Sequence, residues 1–258
     1  MFNDKVIKAS RDFVCIRLAT YEDEAEADFL KTIYLGRSGV MENTTFVMLS
    51  PDTKRDLCRA GRSPQHMYRS PATLALEMKE IAEEFKPTRR AGNERPILPQ
   101  IKDVRLGINV SSCDGLPAVV CVANSDEQAE AMRSLLAPHA FCPELAGKFV
   151  YASTTDSDDL KIINGYRGKP GFVLVEPGDY GTDGKQIKFF APEAESDAIK
   201  SAMIAYANSV GRVEKNHRSH VRTGLSQGSN WETEIPVTDP GSVKSMERNK
   251  QQRTRGNR

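Results

Sequence analysis

Residues 163–177 read INGYRGKPGFVLVEP, and this stretch decides the fold that the sequence predicts. Asn164-Gly165 closes a helix-like segment, and Pro170 stands just before an apolar run that ends at Val175. Because proline has no N–H to donate to a β-ladder, Pro170 must lie at the first position or the edge of a strand. We therefore predict a strand that begins at Pro170.

A second strand and a helix follow this first strand. Asp183-Gly184-Lys185 can form a type I′ turn, and residues 186–190 return as a strand. Residues 193–210 are predicted to be helical, because Ile199 and Met203 fall on one face at helical spacing. The segment therefore predicts an antiparallel hairpin followed by a helix.

This order of helix, Gly-Tyr-x-Gly-x-Pro, apolar strand, Asp-Gly turn, strand and helix resembles the C-terminal half of a thioredoxin-like fold. In that family the proline is cis and lies beside the active disulfide, where it shapes a peptide-binding groove. The resemblance therefore implies a cis Lys169–Pro170 bond. It also implies a peptide groove formed by Lys169, Pro170 and Gly171.

Residues 101–212 contain enough further elements for a whole thioredoxin-like domain, an α/β fold with a mixed sheet flanked by helices. An alternating pattern, a fully apolar run and a short β-prone run predict three strands, and two stretches have helical patterns. The predicted strands are 104–110, 117–123 and 147–151, and the predicted helices are 126–136 and 158–163.

The cysteine pair of the redox-active members is missing from this domain. The family places it directly after the strand equivalent to 117–123, where this chain reads ANSDEQ over 123–128. No thiol is present there, and two acidic residues would disfavour a thiolate. The resemblance therefore implies a fold without the family's redox chemistry.

The five cysteines contain no C-x-x-C pair and do not describe a disulfide framework. Cys15 and Cys121 lie inside apolar runs and are predicted to be buried. Cys142 is the one cysteine that we expect to be exposed, which makes it the candidate reactive thiol. His139 and Cys142 form half of a zinc-like pattern, but zinc needs four ligands, so we predict no metal site.

Residues 1–86 repeat part of the same order and are predicted to be a partial thioredoxin-like unit. Thr44 or Thr45 stands where Pro170 stands in the second copy, and no earlier strand and cysteine-bearing helix precede the first strand. The predicted strands are 13–18, 43–49 and 56–60, and the predicted helices are 22–34 and 71–85.

Two segments outside these units differ in composition. Residues 87–100 contain three prolines and are predicted to be a linker. Residues 213–258 carry nine Lys/Arg and five Asp/Glu, against 27 and 30 in residues 1–212, and are predicted to be a basic, mostly disordered tail. An apolar island over 231–237 is expected to dock back on a domain or on a partner.

The composition, 39% hydrophobic and 28% charged over 258 residues, is typical of a globular protein. No apolar run has the roughly 18 residues of a membrane span, and no signal peptide is recognisable at Met1. We therefore expect a cytoplasmic protein without membrane partners, or an extracytoplasmic one if a signal segment precedes Met1.

Three function hypotheses remain open. The first is a redox-inactive module that binds a protein or an extended peptide, without catalytic residue, cofactor or metal. The second is a thiol-disulfide oxidoreductase whose cysteine motif lies in a missing N-terminal segment. The third is an adaptor that binds nucleic acid or acidic partners through its basic tail, although that tail lacks interleaved aromatic residues. The sequence does not indicate an oligomeric state.

Overall fold

The computed structural model describes residues 3–36, 39–42, 45–85, 96–101, 103–210, 216–229 and 231–256, without the side chains of 217–218, 249–250 and 252–256. The chain divides into two compact units. The first unit comprises Met1–Arg89 and Glu232–Arg258, and the second comprises Arg90–Trp231.

Helices and strands alternate in the second unit, whereas the described part of the first unit contains helices, turns and isolated bridges. The helices are α1 (Asp4–Ser10), α2 (Glu24–Ile33), α3 (Pro64–Met67), α4 (Pro71–Glu84), α5 (Val104–Asp114), α6 (Asp126–Ala140), α7 (Ser196–Ser209), α8 (His217–Ser226) and α9 (Pro240–Gly256). The strands are β1 (Gln100–Ile101), β2 (Ala118–Val122), β3 (Val150–Thr154), β4 (Ile163–Asn164), β5 (Gly171–Pro177) and β6 (Gly184–Phe190), and a 3₁₀ helix covers Ser157–Ile162.

The second unit is built on one mixed sheet, which confirms the predicted α/β class. Its described strands run in the order β1-β3-β2-β5-β6-β4. β1, β3 and β2 are parallel to one another, whereas β5 is antiparallel to both β2 and β6. Parallel neighbours need a crossover, and α6 supplies the one between β2 and β3.

The apolar run of β2 is buried on both faces, which is why it shows no alternation. Val119 and Cys121 point to a cluster formed with α6 and α7. Val120 and Val122 point to the opposite cluster, which includes α5. Helices therefore cover this strand from both sides, and its burial anchors the unit.

The hairpin around the quoted stretch is confirmed, but the predicted type I′ turn at Asp183-Gly184-Lys185 is wrong, because Gly184 and Lys185 already belong to β6. Pro170 immediately precedes β5, and β5 pairs with β6 as predicted. The predicted helix over 193–210 is α7, and the predicted helix over 126–136 is α6, which continues to Ala140. The Lys169–Pro170 bond is trans, so the predicted cis bond is wrong.

The predicted strand over 104–110 is also wrong, because these residues belong to α5. Asp103 caps this helix by accepting a hydrogen bond from the Leu106 N–H at 2.6 Å. Gly115 ends it in a left-handed conformation with φ of +66°. Val104 and Ile108 recur at four-residue spacing on the buried face, a helical period that coexists with the alternating one.

The first unit contains two of the predicted helices, since α2 and α4 correspond to 22–34 and 71–85. Its predicted strands are not formed among the described residues. Residues 13–18 join no ladder, and the predicted strands 43–49 and 56–60 are reduced to bridges between Phe46 and Gly61 and between Leu49 and Asp56. Asn43 and Thr44 lie outside the described residues.

A small apolar cluster holds the helices of the first unit together. Met48 of the bridged segment packs with Leu74 and Met78 of α4 and Ala9 of α1.

Residues 87–95 of the predicted linker lie outside the described residues, and β1 begins at Gln100, where the predicted linker ends.

The C-terminal segment, predicted to be mostly disordered, contains α8 and α9 instead. Two contacts join the apolar island of this segment to other parts of the chain, one within each unit. In the second unit the Arg105 guanidinium lies 3.8 Å from the ring centroid of Trp231. In the first unit the Ile235 N–H donates to the Tyr21 carbonyl oxygen at 2.8 Å. Local composition does not predict contacts between residues this far apart in sequence.

Within the described residues, no helix is both long enough and apolar enough to cross a bilayer.

Candidate functional site

The candidate site lies at the end of the sheet where β2 ends and β5 begins. Val122 is paired with Gly171 across the antiparallel ladder and with Thr154 across the parallel one. The loops that follow β2 and β3 and the loop that precedes β5 therefore meet at one end of the sheet. Loops at the carboxyl ends of parallel strands are a common location of binding sites in α/β sheets.

The loop after β2 is tied to the start of α6 by side-chain caps. The Asn124 N–H donates to Gln128 Oε1 at 2.7 Å, and the Gln128 N–H donates to Ser125 Oγ at 3.3 Å. This arrangement differs from a capping box only in that Gln128 accepts from Asn124, the residue before the N-cap Ser125, and not from Ser125 itself. Side chains therefore satisfy donors at the helix start that an anion or thiolate would otherwise use.

The charge at this helix start is negative. Asp126 and Glu127 are exposed in the first turn. A hydrogen bond from the Ser125 side chain lowers the pKa of the Glu127 carboxyl, which is therefore ionised at neutral pH. An adjacent carboxylate disfavours a thiolate, so this position is unsuited to the nucleophile of a thiol-disulfide oxidoreductase.

The three predicted groove residues are contiguous at the mouth of β5. Lys169 is exposed, Pro170 is half-buried and Gly171 is buried. The Tyr166 hydroxyl donates to the Lys169 carbonyl oxygen at 2.9 Å and so closes the loop on itself. The loop between β4 and β5 therefore has a defined conformation rather than depending on the proline alone.

Gly171 is required by a close approach of the backbone. Its φ is +154°, and a Cβ built on it would overlap the carbonyl oxygen of Phe190 and lie 2.7 Å from the Phe189 ring. No other residue type fits this position without displacing β6. The start of β5 is thus fixed by steric contact with its neighbouring strand.

The backbone of this loop has free donors. The N–H groups of Arg167, Gly168 and Lys169 have no acceptor among the residues that the structure describes. All three residues are exposed. An extended peptide could accept hydrogen bonds here, in the manner of strand addition to a sheet edge.

The same end of the sheet is electrostatically divided. Arg167 and Lys169 give the loop before β5 a positive charge. The loop after β3 is acidic, with the Thr154 hydroxyl donating to the Asp159 carboxylate at 2.5 Å and Lys161 paired with Asp158 at 2.6 Å. A peptide bound here would meet charges of both signs.

Cys142, the candidate reactive thiol, is not part of this site. It follows the C-terminus of α6, whereas Asn124 precedes the N-terminus. The helix has 15 residues and is therefore about 22 Å long, which puts the thiol and Pro170 at opposite ends of it. Its side chain is half-buried against the core, not exposed as predicted.

The Cys142 side chain contacts a neighbouring carboxylate. Hydrogen bonds from the Glu144 backbone N–H and from the Cys142 side chain lower the pKa of the Glu144 carboxyl.

The other cysteines divide by exposure. Burial raises the pKa of the Cys121 thiol to about 12, as expected for a residue inside β2. Burial likewise raises the pKa of Cys58. Cys15 and Cys113 are exposed, and the predicted burial of Cys15 is therefore wrong. All five cysteines are free, and the structure does not bring a pair of them to the candidate site.

The half zinc pattern of His139 and Cys142 has another explanation. His139 Nε2 and Ser196 Oγ are hydrogen-bonded at 2.6 Å, which joins the end of α6 to the start of α7. Burial, with a smaller effect of Lys200, lowers the pKa of His139. In the described part of the chain, no group of three or more His, Cys, Asp or Glu residues is placed to hold a metal ion.

The sequence pattern did not predict that the Tyr151 hydroxyl is buried. The Tyr151 hydroxyl is buried in β3 and has no hydrogen-bond partner among the described residues. Burial, followed by the neighbouring Cys142 and Cys121, raises the pKa of this phenol. A β-prone aromatic residue gave no signal that its hydroxyl would be enclosed.

Comparison of the chain with models of known protein families, with curated proteins and with solved structures found no match.

Proposed function

We propose that the second unit is a thioredoxin-like module without redox chemistry, which binds an extended peptide at the loop 167–171. The observation that carries the proposal is the pairing of Val122 with Gly171. It brings the loop that contains Pro170 beside the start of α6, which is the juxtaposition implied by the resemblance to thioredoxin-like proteins. The mixed sheet between two helical layers supports the same proposal.

The chemistry of the site favours binding over catalysis. The position after β2 carries Asn124 and Ser125 instead of thiols, and the next two residues are acidic. Consecutive backbone N–H groups over 167–169 are available to peptide carbonyl groups. Main-chain hydrogen bonds would provide affinity, and the charged side chains of Arg167 and Lys169 would select among peptides.

The trans Lys169–Pro170 bond separates this chain from the cis geometry of the family. We therefore propose that Pro170 restricts the backbone of the loop and lacks an N–H donor. It does not shape the groove as the cis proline does in thioredoxin-like proteins. The hydrogen bond from the Tyr166 hydroxyl to the Lys169 carbonyl oxygen helps to fix the conformation of this loop.

The test uses the full chain, immobilised, and a phage-displayed library of random twelve-residue peptides. We expect enriched peptides whose affinity, measured by fluorescence polarisation, falls at least about tenfold in Arg167→Glu/Lys169→Glu, since lost charge-assisted contacts have about that effect. The matched control is Lys148→Glu/Lys185→Glu, which makes the same charge change at the other end of the sheet, because Lys148 precedes β3 and Lys185 faces Glu176.

The control should retain wild-type affinity within about twofold, as expected for exposed charges remote from a site. A library that yields no enriched peptide would contradict the proposal. Equal losses in the test and control variants would also contradict it, because the binding would then be non-specific charge attraction.

A further inference from the structure

A serine and a histidine of the second unit form a close pair at the end of α6 that is remote from the loop 167–171. His139 lies in the last turn of α6, and Ser196 is the first residue of α7. Ser196 Oγ and His139 Nε2 are 2.6 Å apart. Both residues are half-buried, so a small molecule can reach them from solvent. A hydrogen bond of this length between a hydroxyl and an imidazole is the geometry of a serine nucleophile and its general base.

The charges around His139 leave it in its basic form at neutral pH. Burial, with a smaller effect of Lys200, lowers the pKa of the imidazole below its ordinary value, so the ring is neutral at pH 7. Glu144 Oε2 lies 3.9 Å from Lys200 Nζ and offsets part of that positive charge. Asp197 acts in the opposite direction to Lys200, because its carboxylate stabilises the imidazolium that forms when His139 accepts a proton.

The backbone at Ser196 has open donors. The N-cap Glu195 makes no side-chain hydrogen bond to the helix, whereas side chains cap the start of α6. The N–H groups of Ser196 and Asp197 have no acceptor among the residues that the structure describes. Two donors at the nucleophile and the residue after it can bind the oxyanion that forms when a serine attacks a carbonyl group. Lys200, one turn further on the same face of α7, adds a positive charge beside them.

We propose that Ser196 and His139 form a dyad that hydrolyses small carboxylic esters. Ser196 Oγ attacks the carbonyl carbon, His139 Nε2 takes the hydroxyl proton, and the N–H groups of Ser196 and Asp197 bind the resulting oxyanion. When this intermediate collapses, the bond to the leaving alcohol breaks, the alcohol takes the proton from His139, and the acyl group stays on Ser196. Water then attacks the acyl group, with His139 again as the base, and both side chains are restored.

The openness of the pair limits the substrate class. No carboxylate of the described chain is hydrogen-bonded to the His139 ring, and such a carboxylate is what orients the base in a full triad. We therefore expect cleavage only of esters with a good leaving group, with turnover about 100-fold faster than spontaneous hydrolysis, at the lower end of general-base catalysis. This activity is independent of peptide binding at the loop 167–171.

The first test is hydrolysis of p-nitrophenyl acetate by the full chain at about pH 7.5, where the base is unprotonated. Ser196→Ala and His139→Gln should each lower the rate at least about tenfold, because each removes one partner of the proton transfer. The matched controls are Ser226→Ala and His66→Gln, which change the same residue types at exposed positions and should stay within about twofold of wild type. Equal rates in the test and control variants would overturn the proposal, because other surface groups would then cleave the ester.

Two further measurements separate catalysis from a merely structural hydrogen bond. A fluorophosphonate should phosphonylate Ser196 with release of fluoride in wild type but not in His139→Gln, as identified by tandem mass spectrometry. The rate should rise with pH through the lowered pKa of His139 and be level above about pH 7.5. Labelling at another residue, no labelling, or a rate that still climbs at about pH 9 would overturn the proposal. Labelling of wild type requires no variant, so it decides the question even if a substitution unfolds the chain.

Discussion

Two runs of nearly the same composition occupy opposite environments in this protein. In FVCIRL the four central residues are exposed and only Phe13 and Leu18 pack on apolar clusters, whereas AVVCV of β2 is buried, with Val120 fully inaccessible. The difference lies in what surrounds them. β2 has β3 and β5 at its sides and helices over both faces, but the segment Phe13–Leu18 joins no ladder. An apolar run becomes a buried strand only when neighbouring strands and a helical layer are present to cover it.

The largest expected effect comes from one acidic substitution placed in each run. Val120→Asp puts a carboxylate where no water or partner is available, which costs several kcal/mol and should abolish cooperative unfolding of the second unit. Val120→Ala should fold and lose about 2 kcal/mol of unfolding free energy. Val14→Asp should change the unfolding free energy of the first unit by no more than about 0.5 kcal/mol.

Urea denaturation followed by circular dichroism measures all three values. Similar losses at positions 14 and 120 would mean that the two runs do not differ in burial.

A smaller effect is expected at two glycines of the candidate site. Gly171→Ala meets Phe190 and a disallowed φ and should cost about 3 kcal/mol. Gly168→Ala has φ of +70° but nothing within 4 Å, and should cost about 1 kcal/mol. The same urea titration separates them. If Gly168→Ala were the more costly substitution, the close approach between β5 and β6 would not be what fixes the loop.

The smallest effect concerns pH and the cysteine of the buried run. Since the pKa of folded Cys121 is raised to about 12, its neutral thiol stabilises the fold fully below the pKa of the unfolded thiol, near 9. That stabilisation decreases as pH rises from about 9 towards 12, because the unfolded state then loses the proton first. Between pH 8 and 10 wild type should lose about 1 kcal/mol more than Cys121→Ala.

Urea titrations of both proteins at pH 8 and pH 10 provide the comparison, and the cavity in Cys121→Ala contributes equally at both. Parallel losses in the two proteins would show that Cys121 is not the group that ionises on unfolding.

Local signals predicted much of the second unit. The fully apolar β2, the cap and acidic first turn of α6, and the pairing of β5 with β6 each depend on neighbouring residues, and each was predicted correctly. The predicted Asp-Gly turn is wrong, because Gly184 already belongs to β6. The period of α5 was ambiguous, and the cap at Asp103 decides it. The isomer of the Lys169–Pro170 bond cannot be read from local sequence, since most prolyl bonds are trans unless the fold imposes otherwise.

The site could be predicted only in part. Lys169, Pro170 and Gly171 are adjacent in sequence, so their proximity was certain, but their position beside Asn124 depends on the long-range pairing of β2 with β5. Cys142 was a candidate on local composition. Because α6 is 15 residues long, Cys142 lies at the other end of this helix from the candidate site.

The most direct measurement is the reduction of insulin by dithiothreitol in the presence of the full chain. Exchange requires an accessible thiolate and a second thiol within about 7 Å between Cα atoms, and the candidate site has neither. We predict no acceleration above the reaction without protein, for wild type and for Cys142→Ser alike. Turnover in wild type that disappears in Cys142→Ser would contradict this and make Cys142 a catalytic residue.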